Sequence, residues 1–234
     1  MAKNRGKVGR DDYLFGEVFM QRKIKEAVFD MSFLLERGYG ESSSCELVGN
    51  RYKLNKRQQQ AIKGMAASKT AVVNRQNTKV TVEVLEGATL IIDGFNQLIL
   101  LESILSGACV FKGRDGAYRD LSNLYGTYKS VSQTQIAIET FAAFFKKYKV
   151  SKVIWVFDAP VSNSGRMKTK LIDYAKEKEH NWEVVLLNNP DKFIANSEFI
   201  GVSSDAWILD KIKSWSNIIE IIIPKNYSSL ITCE

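Results

Sequence analysis

The sequence has few of the residues that several common kinds of functional site require. It contains one histidine, His180, so a site built from two imidazoles is excluded. Its three cysteines are odd in number and far apart, and they form no Cys-x-x-Cys pair: Cys45, Cys109 and Cys233. A disulfide framework and a thiolate zinc site are therefore excluded, and we expect a reducing compartment.

Long apolar runs are also missing. The longest apolar stretches, residues 89–92 and 218–223, are far shorter than the roughly 18 to 20 residues that cross a bilayer. The basic start of the chain, residues 1–10, runs into Asp11 and Asp12 without an apolar segment, which does not fit a secretory signal. We therefore expect no membrane segment, no membrane partner and a cytoplasmic location.

The net charge of +7 is not spread evenly over the 234 residues. Residues 1–80 contain sixteen Lys or Arg against eight Asp or Glu, whereas residues 81–234 contain seventeen against eighteen. A basic segment joined to a slightly acidic one fits a polyanion-binding arm attached to a site made of carboxylates. A solvated basic helical surface explains the same composition equally well.

The first third of the chain has the apolar spacing of helices. Apolar residues recur every three to five positions from Tyr13 to Arg37. After a short link bounded by residues 42–44 and Gly49, residues 54–67 repeat this pattern. The spacing predicts a small, basic, all-helical unit over residues 1–68. Residues 69–80 are polar without a helical period, which predicts a linker. Four phenylalanines of the first helix are expected to be buried, with the sheet as an available surface: Phe15, Phe19, Phe29 and Phe33.

From residue 81 to 234, strand-like and helix-like segments alternate. Apolar runs typical of buried parallel strands occur at residues 88–93, 152–158, 182–187, 199–203 and 218–223, after an alternating run at 80–85. Helical patterns lie at residues 97–106, 134–148, 164–179 and 204–214. This alternation predicts an α/β domain with a mostly parallel sheet covered on both faces. It should fold without residues 1–68.

Three predicted strands end in an aspartate: Asp93, Asp158 and Asp205. Ligands of parallel α/β sheets bind at the carboxyl ends of the strands, and neighbouring strands are about 4.8 Å apart. Three carboxylates that close repel one another unless a hard divalent cation lies between them. With one histidine and no thiolate pair, the expected cation is Mg²⁺ or Mn²⁺ held by oxygen ligands.

Each aspartate also has a purely structural interpretation. Asp205 follows two serines at a predicted helix start and fits a helix N-cap. Asp158 precedes Ala-Pro, and Asp93 precedes Gly94, so both fit turn positions. Taken singly, the structural interpretation is favoured, whereas three strand-terminal acids together favour a site.

The motifs around these acids resemble those of the PIN-like nuclease superfamily, especially its NYN-type branch. They are Ile-Ile-Asp93-Gly-Phe-Asn96, Val-Phe-Asp158-Ala-Pro-Val-Ser-Asn-Ser-Gly165 and Ser-Ser-Asp205-Ala. The first third, with Leu34-Leu-Glu-Arg-Gly-Tyr39 and Leu47-Val-Gly-Asn-Arg-Tyr-Lys-Leu54, resembles the helical segment that precedes such a domain in an archaeal and bacterial family of unknown function. The resemblance implies a three-layer α/β/α sandwich that uses Mg²⁺ or Mn²⁺ to hydrolyse RNA.

The resemblance also implies roles for individual residues. Asp93, Asp158 and Asp205 would be metal ligands, and Asn96 would orient Asp93 or contact phosphate. Ser204 would support this group. A fourth acid is expected at Glu102 or Asp120, with Asp115 as a further candidate. Asp210 is set aside, because it follows Asp205 by five residues and should point elsewhere on a helix.

RNA is the expected partner of the basic segment, and the oligomeric state, a homodimer included, is left open. The residues expected to contact RNA are Arg51, Lys53, Lys56, Arg57 and Arg119. Other cations of the first third that could contact RNA phosphates are Arg5, Arg10, Arg22, Lys23 and Lys25, and Tyr39 and Tyr52 could stack on bases. Two other functions remain open. The protein could bind RNA without catalysis, or it could be a phosphohydrolase of a small substrate, although Phe95 stands where an aspartyl-phosphate enzyme of the haloacid dehalogenase type has its second aspartate.

Overall fold

The computed structural model describes residues 5–6, 8–122 and 127–233. After a π-helical turn at Asp12–Gly16, its first part consists of four helices: α1 (Val18–Glu36), α2 (Glu41–Arg51), α3 (Lys56–Met65) and α4 (Lys69–Thr78). Gly38 ends α1 with a φ of +81°, which glycine adopts without strain. Asn55 and Gln58 start α3 with a reciprocal capping box. The predicted helical unit is therefore present.

Two segments of this unit differ from their prediction. Residues 42–49, expected as a short link, belong to α2, and residues 69–78, expected as a linker, form α4. Ser68 caps α4 by accepting a hydrogen bond from Ala71 N at 3.1 Å. The one buried residue of α4 is Arg75, so this helix is held by charge rather than by an apolar face. Apolar periodicity could not reveal it.

The α/β part contains all nine strands of the described residues: β1 (Lys79–Val80), β2 (Thr89–Asp93), β3 (Val110–Lys112), β4 (Tyr118–Asp120), β5 (Lys152–Asp158), β6 (Trp182–Leu187), β7 (Ile200–Val202), β8 (Trp215–Ser216) and β9 (Leu230–Thr232). Its helices are α5 (Gly94–Leu105), α6 (Thr134–Lys147), α7 (Ser164–Glu177), α8 (Pro190–Ala195), α9 (Ala206–Leu209) and α10 (Ile218–Ile222). Among the described residues, no helix combines the length and the apolar composition that a membrane crossing requires.

Six of the strands form one parallel sheet in the order β1-β8-β7-β2-β5-β6. Side chains of β2 alternate between two hydrophobic clusters, because successive residues of a strand point to opposite faces. Leu90 and Ile92 belong to the cluster that contains α5 and α6, whereas Ile91 belongs to the one that contains α9. The three-layer α/β/α arrangement predicted from the sequence is confirmed.

Two predicted strands of this domain are wrong. Residues 82–85 form a 3-10 turn, so that β1 is only Lys79–Val80. The apolar run at 218–223 contains the helix α10, in which Ile218 and Ile219 are buried. Strand β8 already occupies the sheet position beside β7, so the following run packs on the sheet as a helix. A short apolar run does not by itself distinguish a buried strand from a buried helix.

A second, three-stranded sheet of order β4-β3-β9 joins the helical unit to the α/β domain. Its strand β4 forms the end of the polar run at residues 114–120. One hydrophobic cluster includes residues of both parts, and the rings of Phe15 and Phe111 lie 5.0 Å apart within it. A fragment without residues 1–68 would expose the α/β side of this cluster to water. The independent folding of such a fragment stays a prediction.

Only Phe15 of the four phenylalanines expected in the core is fully buried. Phe19, Phe29 and Phe33 are 71%, 45% and 58% exposed. The large sheet does not cover them, since helix α1 packs on α2, α3 and α4.

Candidate active site

The three predicted aspartates lie at the carboxyl ends of three adjacent strands. Strand β2 lies between β7 and β5 and ends at Asp93. Asp158 ends β5, two positions beyond the residue that pairs with Asp93 in the register. Asp205 follows β7 after two serines. Because the strands are parallel, these carboxylates share one edge of the sheet.

Asp93 is the most strongly perturbed acid of this group. The pKa of Asp93 is raised to about 7, chiefly by burial and in addition by the charges of Asp205, Asp191 and Asp158. The Ser203 hydroxyl donates a hydrogen bond to Asp93 Oδ2 at 2.7 Å and opposes this shift. Near neutral pH the carboxylate is therefore readily protonated when no cation neutralises the cluster.

Gly94 shows why Asp93 is followed by glycine. Helix α5 begins directly after the strand, and the backbone there lies against the ring of Phe157. A Cβ atom on Gly94 would lie 2.4 Å from that ring, which no side chain can tolerate. The close approach packs the end of β2 against the residue that precedes Asp158. The glycine thus helps to hold the two acidic strand ends together.

A short loop carries Asp205 and is tied to helix α5. Asn96 Oδ1 accepts a hydrogen bond from Ser204 N at 3.0 Å, and Gln97 donates to the Ser204 hydroxyl at 3.1 Å. Asp205 Oδ1 accepts from the backbone of Trp207 at 2.8 Å and thus caps α9, as the structural interpretation of this acid proposed. The predicted supporting residues Asn96 and Ser204 therefore position the loop beside Asp93.

A fourth acid, Asp191, was missed by sequence reasoning. It lies in the first turn of α8, directly after β6, and burial together with the charges of Asp205 and Asp158 raises its pKa. The signal was available, because Asn-Pro-Asp191 follows an apolar strand in the same way as the other acids do. Asp158 also has a raised pKa because of burial.

These four aspartates line one cavity of about 850 Å³. The ends of β2, β5 and β7 and the start of α8 form one wall. The helical unit forms the opposite wall, where Glu41, Lys63, Ser68 and Arg75 line the cavity. Lys63 pairs with Glu41 at 2.7 Å. The site is therefore bounded by both parts of the chain.

The two expected fourth acids have different positions. Asp120 lines the cavity, and burial raises its pKa to about 6. Glu102 does not line it, since this fully buried carboxylate accepts hydrogen bonds from Arg5 at 2.8 Å, from Thr134 at 2.5 Å and from Tyr128. Glu102 stabilises the packing of α5 instead.

Asp115 and Asp210 take part in one ionic network, which is buried at Asp115 and Arg75 and exposed at Asp210. Arg75 donates to Asp115 at 2.6 Å and to both oxygens of Asp210 at 2.7 and 2.9 Å. Arg119 donates to both oxygens of Asp115, at 3.0 and 2.7 Å, and to the carbonyl of Ser204 at 2.8 Å. Asp210 lines the cavity, because α9 ends at Leu209 and does not carry it away, but Arg75 occupies both of its oxygens.

The residues expected to bind RNA divide into two groups. Arg51, Lys53 and Lys56 are exposed on the helical unit, away from the cavity lining. Arg57 is held by Asp11 at 2.6 and 2.7 Å, and Arg119 is held by Asp115. These two arginines therefore stabilise the fold, because their guanidinium N–H groups already bind carboxylates of the protein.

The aspartates do not form a complete set of metal ligands. In the described ranges, no three His, Cys, Asp or Glu side chains are close enough to hold one metal ion together. Hard divalent cations such as Mg²⁺ are commonly bound by one or two carboxylates, several waters and substrate phosphate. A set of half-buried carboxylates with raised pKa values around a wide cavity is compatible with that kind of binding.

Comparisons with known proteins place the chain in a family. The model of the family described as "Domain of unknown function (DUF5616)" matches residues 82–221, which is most of the α/β part and includes all four aspartates. The chain belongs to this family. The model described as "Protein of unknown function (DUF434)" matches residues 23–77, the helical unit. A protein of Methanocaldococcus jannaschii described as uncharacterized is 30% identical over 200 residues, covering 85% of this chain and 94% of the relative. No solved structure gave a significant match.

Proposed function

We propose that the protein is a PIN-like, NYN-type metallonuclease that hydrolyses RNA phosphodiester bonds with Mg²⁺ or Mn²⁺. The observation that carries this proposal is the group of four aspartates at adjacent strand ends. No basic side chain neutralises Asp93, Asp158 or Asp191 within the described residues; burial raises the pKa values of all three, and the neighbouring carboxylates add to the rise for Asp93 and Asp191. Such an arrangement is unfavourable for stability and is typical of a cation-binding active site.

The donor set suits the proposed cations. Carboxylate oxygens of Asp93, Asp158, Asp205 and Asp191 are hard ligands, and among the described residues neither histidine nor cysteine lines the cavity. A bound Mg²⁺ or Mn²⁺ would polarise the phosphate and lower the pKa of an attacking water. No side chain is then needed as a nucleophile.

The protein's own residues would keep this site in order. Ser203 orients Asp93 through its hydroxyl, and Asn96 fixes the backbone of Ser204. Arg119 holds the carbonyl of Ser204 from the opposite side at 2.8 Å. These contacts fix the loop that carries Asp205, so that the carboxylates stay positioned while they repel one another.

A second candidate function is hydrolysis of a small phosphate ester. Its support is the cavity volume of about 850 Å³, which lies within the usual range for small-molecule sites. The basic first third of the chain favours RNA instead, because a long positive surface can contact several phosphates of a nucleic acid but only one phosphate of a small ester.

One set of hydrolysis assays tests both candidates. We expect turnover of labelled single-stranded RNA with Mg²⁺ or Mn²⁺, no turnover with EDTA, and none for Asp158→Asn. Asp173→Asn, on the exposed side of α7, is the matched control and should keep full activity. Turnover of a phosphomonoester but not of RNA would favour the second candidate, and no turnover of either would contradict both.

A further inference from the structure

A groove of about 320 Å³ lies on the helical unit, between the first half of α1 and the end of α2. It is separate from the aspartate cavity and shares no lining residue with it. Four cations line it, and we call it the α1–α2 groove: Arg22, Lys23, Arg51 and Lys53. Phe19, Tyr52 and Glu26 complete the lining.

The aromatic residues of this region are unusually exposed. Phe19 is 71% exposed, and Phe33, fourteen positions further along α1, is 58% exposed. Fourteen residues make about four helical turns, so both rings project from the same side of α1. The residues that lie between them on that side, such as Arg22, Lys23 and Glu26, are charged, so Phe19 is an exposed ring next to the cations of the groove.

Arginines stack on three aromatic rings of the helical unit. Arg51 lies over Tyr52 with 5.6 Å to the ring centroid, and Arg37 lies over Phe33 at 5.1 Å. Arg114 lies over Phe29 at 5.2 Å. A flat guanidinium on a ring is a platform for nucleobases, which stack on aromatic and guanidinium planes alike.

The cations of the groove are largely uncompensated. Arg51 shares Asp30 with the Tyr52 hydroxyl, at 3.3 and 2.9 Å. Arg22, Lys23 and Lys53 form no ion pair with any residue that the structure describes. Glu26 is the single acid in the lining, so the groove attracts a polyanion.

We infer that the α1–α2 groove binds single-stranded RNA. Phosphates would contact Arg22, Lys23 and Lys53, and an unpaired base would stack on Phe19. The choice of RNA as the polyanion rests on the proposed function, whereas binding itself needs neither metal nor catalysis. Phe19, expected in the core, is thus assigned to recognition.

The groove and the aspartate cavity touch different ends of α1. Arg22 lines the groove and Leu35 lines the cavity, thirteen positions apart. The helix rises about 1.5 Å per residue, so the two sites are separated by about 20 Å along its axis. Stacked nucleotides advance about 3.4 Å each. An RNA of about six nucleotides or more is therefore needed to reach both.

The test is RNA binding measured in EDTA by fluorescence anisotropy, with a labelled single-stranded 12-mer over a range of salt concentrations. Arg22→Gln combined with Lys53→Asn should reduce the slope of log affinity against log salt by about 1.4, at about 0.7 per lost phosphate contact. Asn suits position 53, whose φ is +47°. Phe19→Ala should lower affinity about tenfold with an unchanged slope, because stacking is not ionic.

Matched variants control for loss of charge and loss of an exposed ring. Lys146→Gln with Lys176→Gln removes two exposed lysines of the α/β domain, and Phe199→Ala removes a phenylalanine that is 43% exposed. Both should bind RNA as the unaltered protein does. Circular dichroism of each variant checks that the fold is kept.

Three outcomes would overturn the inference. They are absence of RNA binding by the unaltered protein, equal affinity of the groove and control variants, and binding to anionic lipid vesicles in place of RNA. Hydrolysis of bis(p-nitrophenyl) phosphate tests the aspartate site separately, because this small diester is too short to contact the groove while it occupies the aspartate cavity. RNA binding without such hydrolysis would support RNA binding by the groove and contradict the proposed nuclease activity. Hydrolysis without RNA binding would support the aspartate site and contradict RNA binding by the groove.

Discussion

Asp93 and Asp115 are both withdrawn from water, yet their pKa values move in opposite directions. Burial raises the pKa of Asp93 to about 7, with three further aspartates adding to the effect. The pKa of Asp115 is lowered to about 2, because Arg119 and Arg75 outweigh the effect of its burial. The difference shows that countercharge, rather than burial, decides the direction in which the pKa of a buried acid moves.

Removal of the unpaired acids is expected to have the largest effect, and it acts on activity. Asp158→Asn or Asp205→Asn should reduce RNA hydrolysis by about a thousandfold or more, since each removes a proposed ligand of the cation. The melting temperature should stay unchanged or rise, because less repulsion remains. Asn at position 205 can still cap α9 through its side-chain oxygen. Unfolding of either variant would instead support the turn and cap interpretation.

Removal of the paired acid should act on stability. Asp115→Asn leaves Arg75 and Arg119 facing a neutral amide in a buried position, which should cost about 3 kcal/mol of unfolding free energy. Urea denaturation measures this loss, with Asp93→Asn as the comparison at an unpaired acid. Equal stability of the two variants would contradict the distinction drawn between them.

The contributions of Asp93 and Asp115 to stability should change with pH in opposite directions. The pKa of Asp93 is higher in the folded state than its ordinary value of 3.8, so the unaltered protein loses stability as the pH rises from about 4 to about 7, and Asp93→Asn does not. The gain of Asp93→Asn over the unaltered protein should therefore grow as the pH rises from about 4 to about 7, by up to about 4 kcal/mol. Asp115 has a lowered pKa, so the deficit of Asp115→Asn should shrink as the pH falls below 4 towards 2.

The pH experiment requires denaturation curves in EDTA, so that no cation compensates the cluster. Parallel stability profiles of the unaltered protein and Asp93→Asn would show that Asp93 is not perturbed by its neighbours.

The smallest expected effect is binding of the metal alone. Without substrate phosphate, the aspartates should bind Mg²⁺ or Mn²⁺ only weakly, because water and a few carboxylates complete the coordination poorly. Calorimetric titration should show this binding, and Asp93→Asn should abolish it. Preferential binding of Zn²⁺, or binding of Mn²⁺ that is unaffected by Asp93→Asn, would argue against the proposed site.

Much of the sheet and of its acidic edge could be predicted from local patterns. The apolar runs before Asp93 and Asp158 define two neighbouring strands, and their ends could be read directly. Asp191 was within reach of the same reasoning, since it also follows an apolar strand. The apolar run at 218–223 shows where prediction from local patterns fails, because a buried helix and a buried strand share that composition.

By itself, the sequence determined the parallel sheet, the acids at its carboxyl edge and the basic character of the helical unit. Only the tertiary structure decided which charges are neutralised. Asp115 meets Arg75 across 40 positions of the chain, and Arg75 in turn reaches Asp210 across 135. The exposure of Phe19 was decided in the same way, by what packs on α1. Periodicity is a property of neighbouring residues, whereas countercharge and cover depend on segments that are distant in sequence.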